Sequence, residues 1–130
     1  MGRDKRNEQR GGRFARYPAE IIESVAWLSL SGYAVKLHLV LIQRQFGSSD
    51  ELAAMSENEA CKALGLGSRQ TARNAFKQLV DAGFIVLQVP AHLGSNGYGR
   101  AAKYRLTHLR YNSKPPTRDW VEKTKTPHRK

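Results

Sequence analysis

A mainly α fold closed by one small β-hairpin is what this sequence predicts, and three features point there. Apolar residues recur at helical spacing through residues 19–46 and again through 57–82. Ser56-Glu57-Asn58-Glu59 has the form of a capping box, with Gly65 and Gly83 placed as helix stops downstream. After Gly83, a β-branched and aromatic run (Phe84–Val89) and an alternating one (Ala101–Thr107) flank a Gly-, Ser- and Asn-rich stretch, the pattern of a hairpin.

Taken in order, residues 1–16 are polar and basic, which predicts a disordered tail. Two roles are open to it: lying along phosphates, or solubilising the chain. Tyr17-Pro18-Ala19-Glu20 predicts a helix start, because proline is tolerated in a first turn and Glu20 and Glu23 suit its positive end. Ile21, Val25 and Leu28 recur at i, i+4, i+7 with Ile22 and Ala26 beside them, so one buried stripe is expected, with Trp27 as a core anchor. Ser29–Gly32 breaks this helix, and Ser31 can cap the next. Residues 32–46 are apolar on two faces: Tyr33, Leu37, Val40 and Leu41 on one, Val35, Leu39, Ile42 and Phe46 on the other. Such a helix is central, or gives one face to a partner. His38 has no His, Cys or carboxylate at i+3 or i+4, so it is expected at the polar edge of this helix.

Gly47–Asp50 predicts a loop, and Glu51–Met55 a short strand or an extended link. The capping box opens a helix over 57–64 with Ala60, Cys61 and Leu64 inward. Leu66 and Gly67 turn the chain, Ser68 caps a second helix, and Ala72, Ala75, Phe76, Leu79 and Val80 face the core. Pro115-Pro116 favours an extended course near the end.

The 130 residues suit one domain over 17–110, between the basic tail 1–16 and a basic, Pro-containing tail over 111–130. Twenty-two Lys and Arg against 11 Asp and Glu leave a formal charge of +11, which favours an anionic partner, nucleic acid before a membrane surface. The charge is also unevenly placed: residues 18–67 have an acidic excess, while 68–83, the hairpin and both ends are basic. That is the pattern of a basic face and arms on an acidic scaffold. One cysteine, Cys61, excludes an intramolecular disulfide and a Cys-based metal cluster, and its place among apolar helix positions suits a small buried residue. The opening residues have no apolar core of a secretory signal, and the longest apolar run, Leu39–Ile42, is too short for a bilayer. A soluble protein of the reducing cytoplasm is expected, with no membrane partner.

The stretch SENEACKALGLGSRQTARNAFKQLVDAGFI carries a resemblance. Ser-x-x-Glu-Ala, then Gly and an apolar residue, then Ser-x-x-Thr-Ala, an apolar pair and Gly-Phe-Ile is similar to winged helix-turn-helix regulators of the MarR, GntR and Rok-like kind. It also resembles replication and control proteins of bacterial phages and plasmids. The likeness spans about Ser56–Thr107. SVAWLSLSGYAVKLHLVL before it and YRLT with PPTRDW after it resemble small bacterial helix-turn-helix proteins, many of prophage type. The resemblance implies a winged helix-turn-helix fold that binds double-stranded DNA.

The residues fit that expectation independently. With Ala72, Phe76 and Leu79 inward, Arg69, Gln70, Arg73, Asn74 and Lys77 face outward. Arg matches guanine O6 and N7, and Asn or Gln matches adenine N6 and N7. Ser68, Thr71 and the free N–H groups at the helix start can hold a phosphate. In the hairpin, Arg100 suits a narrow minor groove, and Lys103 and Arg105 suit phosphates. A solvated surface helix is the plain alternative; the capping box, the spaced turn, the hairpin and the charge asymmetry weigh against it.

Other classes fit less well. Cys61, His38, His92, His108 and His128 form no spaced catalytic or metal-ligating set, and no P-loop, Gly-x-Ser-x-Gly or His-Glu-x-x-His is present, so neither enzyme nor cofactor is expected. Tyr17, Tyr98, Tyr104, Tyr111 and Trp120 could stack on RNA bases but are scattered along the chain. The two-faced helix 32–46 makes a homodimer through residues 17–46 an expectation. Two roles remain open within DNA binding: transcriptional regulation in bacteria or a mobile element, and replication or partition at origin repeats.

Overall fold

The computed structural model describes residues 14–92 and 100–121. Most of the expected N-terminal tail and the tip of the hairpin lie outside these residues. The described chain is mixed α/β: helices packed against a small three-stranded antiparallel sheet, compatible with a helix-rich winged fold.

Helix α1 (Ala19–Ile22) and helix α2 (Val25–Leu28) correct the single helix expected over this stretch. Ser24 interrupts it with an extended backbone, φ −74° and ψ 151°, and its Oγ accepts from Trp27 N to cap α2. A serine hydroxyl offers the backbone an alternative to helix continuation. The break resets the helical phase, so the stripe Ile21–Val25–Leu28 dissolves. Ile21 and Ala26 are buried, while Val25 and Leu28 are 66% and 72% exposed. Trp27 is half-buried against the core, as expected of an anchor.

Helix α3 (Gly32–Phe46) is capped by the Ser31 hydroxyl, which accepts from Ala34 N. Its buried residues are Ala34, Leu37, His38, Leu41 and Ile42. They fall at i, i+3, i+4, i+7, i+8, one core-facing stripe. The two faces do not separate as expected: Ile42 of the second joins the buried stripe, while Leu39 and Phe46 of the second and Tyr33 of the first are exposed. His38 is not at the edge but wholly buried. Its Nδ1 lies 2.7 Å from the Tyr17 hydroxyl, and its ring stands edge-on to Trp27 and Phe84. A lone helical position carries no sign of a hydrogen-bond partner 21 residues away, which is why sequence spacing misplaced it.

Strand β1 (Ala53–Ala54) realises the short strand expected near Glu51–Met55. Helix α4 (Glu57–Leu64) opens with the full capping box: Ser56 Oγ accepts from Glu59 N, and Glu59 Oε1 accepts from Ser56 N at 2.9 Å. Gly65 ends it at φ 71°, with Leu66 N donating to Cys61 O. Helix α5 (Arg69–Ala82) follows, capped by Ser68 and buried along Ala72, Ala75, Phe76 and Leu79. Val80, expected inward, is partly exposed.

Gly83 ends α5 at φ 87°, a left-handed conformation in which a β-carbon is strained. A β-carbon here would also lie 2.7 Å from the Asp119 carbonyl carbon and from Trp120 N. Strand β2 (Ile85–Val89) and strand β3 (Lys103–Leu106) then form the hairpin, with Ile85 opposite Leu106 and an irregularity between Leu87 and Val89. Strand order is β1-β3-β2, Ala53 pairing with Tyr104. His92 and Arg100 exchange backbone hydrogen bonds of 3.1 and 2.8 Å, extending the ladder toward the tip.

The segment after β3 does not leave the domain at 110. The Thr107 hydroxyl donates to Gly83 O at 2.7 Å, and Arg118 N donates to Thr107 O at 2.9 Å. Residues 119–121 are helical, and Trp120, 3% exposed, joins the core. A proline-containing basic composition hid one large apolar anchor.

Candidate nucleic-acid interface

Helix α5 is amphipathic by construction. Its apolar positions are held inward by α3 and α4, so Arg69, Gln70, Arg73, Asn74 and Lys77 are turned to solvent. Thr71 is half-buried. Ser68 is exposed, with its hydroxyl oxygen engaged as the helix cap 3.2 Å from Gln70 N. No acidic residue occupies the first turn of α5, so the positive end of the helix is not neutralised from within. Gln78, on the same helix, accepts from Ser31 N at 2.8 Å and ties α5 to the start of α3.

The outward side chains interlock. Arg73 Nε and Nη2 each lie 3.0 Å from one carboxylate oxygen of Glu57, a two-pronged contact from α5 to the first turn of α4. Arg73 Nη1 donates to Gln70 Oε1 at 3.1 Å, and Gln70 Nε2 donates to Asn74 Oδ1 at 3.0 Å. Arg69 Nη2 lies 3.4 Å from the same Glu57 carboxylate. Lys77 pairs with Asp81 one turn along. The hydrogen bond from Arg73 holds the Glu57 carboxyl below its ordinary range, and Glu57 in turn raises Arg73. Tyr104 stacks on Phe76 with ring centroids 5.0 Å apart. Burial, with the charge of Glu57 second, pushes the Tyr104 hydroxyl upward.

Sequence reasoning named Glu57 only as part of the Ser56–Glu59 capping-box stretch. Its separations of 12 and 16 residues from Arg69 and Arg73 match no helical period, so only the packing of α4 on α5 exposes the contact.

The hairpin residues are placed differently from the α5 set. Arg100 is exposed at the base of the tip, opposite His92. Lys103 pairs with Asp50 at 2.7 Å, and Arg105 donates to Thr117 Oγ1 at 2.8 Å. Side chains alternate across a strand. Because Tyr104 packs on α5 through Phe76, Lys103 and Arg105 lie on the opposite face of the sheet. The structure therefore brings together Ser68, Arg69, Gln70, Arg73, Asn74 and Lys77, but not Lys103 and Arg105 with them.

A separate surface lies on α3. Phe14, Ala15, Leu39, Ile42, Gln43 and Phe46 line a shallow cavity of about 210 Å³. Among the described residues no group of three or more His, Cys, Asp or Glu could hold a metal ion, and no helix is long and apolar enough to cross a membrane. Comparison with protein-family models, with curated proteins and with solved structures gives no match for this chain.

Proposed function

We propose that this chain binds double-stranded DNA selectively, as a winged helix-turn-helix reader. In this reading α4 and α5 form the helix pair, α5 enters the major groove, and the β2–β3 hairpin is the wing. The observation that carries it is the outward face of α5, where Arg69, Gln70, Arg73, Asn74 and Lys77 stand exposed along one helix. A helix about 10–12 Å across fits a major groove about 12 Å wide. Those side chains include the residue types that distinguish guanine and adenine by paired hydrogen bonds. The excess of 22 basic over 11 acidic residues would supply sequence-independent attraction to phosphate.

Selection of bound duplexes from a random pool tests this. A short enriched motif containing guanine is the expected result. Absence of enrichment, or tighter binding to single strands at equal salt, overturns the reading.

The role we propose is transcriptional regulation in a bacterium or mobile element. A footprint over a promoter supports it, and one over direct repeats of an origin assigns replication or partition instead. Self-association through residues 17–46 belongs to the same proposal. Ile22, Val25, Leu28, Tyr33, Leu39 and Phe46 are all exposed within that stretch and would supply the apolar area of such an interface. Sedimentation equilibrium at tens of micromolar, roughly the range of an ordinary weak interface, should report a dimer.

A further inference from the structure

We infer that Glu57 is a positioning residue that aims Arg73 at guanine and makes the interface selective; the inference rests on the DNA-reading role proposed for α5. Three observations carry it. The first is which edge of Arg73 is held. Glu57 accepts from Nε and Nη2, the side edge of the guanidinium, at 3.0 Å each. Gln70 accepts from Nη1 at 3.1 Å. A guanidinium has five N–H donors in a fixed fork. Three are thus engaged inside the protein, leaving one on each of Nη1 and Nη2, and both lie at the end of the fork when Gln70 takes the Nη1 proton that points away from Nη2. Two parallel donors at that end are what guanine O6 and N7 accept.

The second is the rigidity of the support. Glu57 lies in the first turn of α4, directly after Ser56, whose reciprocal bonds with Glu59 fix the start of that helix. Gln70 is itself held by Asn74 at 3.0 Å. Arg73 therefore meets DNA with much of its side-chain freedom already removed, which reduces the ordering cost of each base contact.

The third is the sign of the charge. The Glu57 carboxylate also lies 3.4 Å from Arg69, so one acidic group restrains two of the three cations on this face. Beside an anionic polymer this opposes binding unless a guanine rewards the aimed Arg73. Selectivity of this kind comes from penalising the wrong partner as much as from attracting the right one. The pair is exposed but two-pronged and shared with Arg69, so it also contributes modestly to joining α4 and α5. Its placement is better explained by the direction it gives Arg73.

The test uses the full chain and three variants: Glu57→Gln, Arg73→Ala and the double substitution. Each is titrated against a duplex recovered by random-pool selection, copies with each guanine replaced, and an unrelated duplex, over a range of salt. Melting temperature is followed throughout. In Glu57→Gln, preference for one guanine should fall about tenfold, toward the lower end of the range for a paired base contact. Affinity for the unrelated duplex should rise, and the salt slope should steepen by about 1 to 2 as Arg69 and Arg73 turn to phosphates. Arg73→Ala should lose preference at that same guanine, and the double variant should lose no more there. Without DNA, the Arg73 Nε–H should exchange slowly with solvent in the wild-type chain and rapidly in Glu57→Gln. If Glu57→Gln lowers the melting temperature but keeps guanine preference and salt slope, Glu57 is only a joint between α4 and α5 and the inference falls. If the wild-type chain selects no duplex at all, the DNA-reading role falls first and takes this inference with it.

Discussion

Trp120 lies face to face with Phe84, ring centroids 5.5 Å apart and planes 15° from parallel. The contact joins the last described segment to the residue after the Gly83 stop of α5. It makes the stretch beyond 110 part of the folded unit. Trp120→Ala removes a nearly fully buried aromatic side chain, and such deletions cost about 3–5 kcal/mol. Urea denaturation should show a midpoint lowered accordingly. A change below about 0.5 kcal/mol, typical of a surface position, would mean the segment is not anchored as described.

Gly83 and Gly65 offer a paired test of backbone constraint. Both have positive φ, but only Gly83 has backbone atoms 2.7 Å from where a β-carbon would stand. Gly65→Ala should cost about 1–2 kcal/mol from left-handed strain alone. Gly83→Ala should cost clearly more, because residues 119–120 must move. Equal losses in denaturation midpoint would show that this close approach does not constrain the chain.

The histidines predict acid sensitivity. Burial pushes His38 down to about 3, the nearby His108 adding to it, and burial pushes His108 down to about 4. His38 Nε2 and His108 Nδ1 have no protein hydrogen-bond partner, so neither site offers a second acceptor to an imidazolium. In the unfolded chain each imidazole titrates near about 6.5. Below that pH the unfolded state takes up protons that the folded state refuses. Stability is therefore fully present above about 6.5 and is lost as pH falls toward 4 and then 3, with a limiting slope of about 1.4 kcal/mol per pH unit for His38. Carboxylates held low, such as Asp50 at about 2, add their own loss only at the acidic end. His38→Gln, which keeps a polar partner for Tyr17, should flatten the stability profile between pH 6.5 and 4. An unchanged slope would remove His38 as its cause.

Base contacts and phosphate contacts should separate on substitution. Arg73→Ala should cost about 1–3 kcal/mol on the selected duplex and relax preference at one position. Arg100→Ala should instead weaken binding to all duplexes alike and reduce the salt slope by about 1. Should Arg73→Ala change only the salt slope, its side chain contacts phosphate and the assignment of α5 as a base reader is wrong.

Elements fixed by local chemistry were legible in the chain. The capping box at Ser56 and Glu59, the stops at Gly65 and Gly83, the cap at Ser68 and the inward set Ala72, Ala75, Phe76 and Leu79 each depend on neighbours within about one turn, and all occur as read. The hairpin strands were legible for the same reason. The outward face of α5 followed from its inward one, since a helix has a fixed period.

What only the tertiary structure decided involves partners distant in sequence. Ser24 falls inside the single helix expected over this stretch, yet it caps a second one whose Trp27 packs against Tyr17. His38 entered the core because Tyr17 and His108 meet it there, and Trp120 because Phe84 offers a flat apolar surface. Glu57 acquired its place beside Arg69 and Arg73 when α4 packed on α5. Period and capping are encoded within a few residues. Contacts across 10 to 70 positions exist only once chain entropy has been overcome by packing, and no local pattern records them.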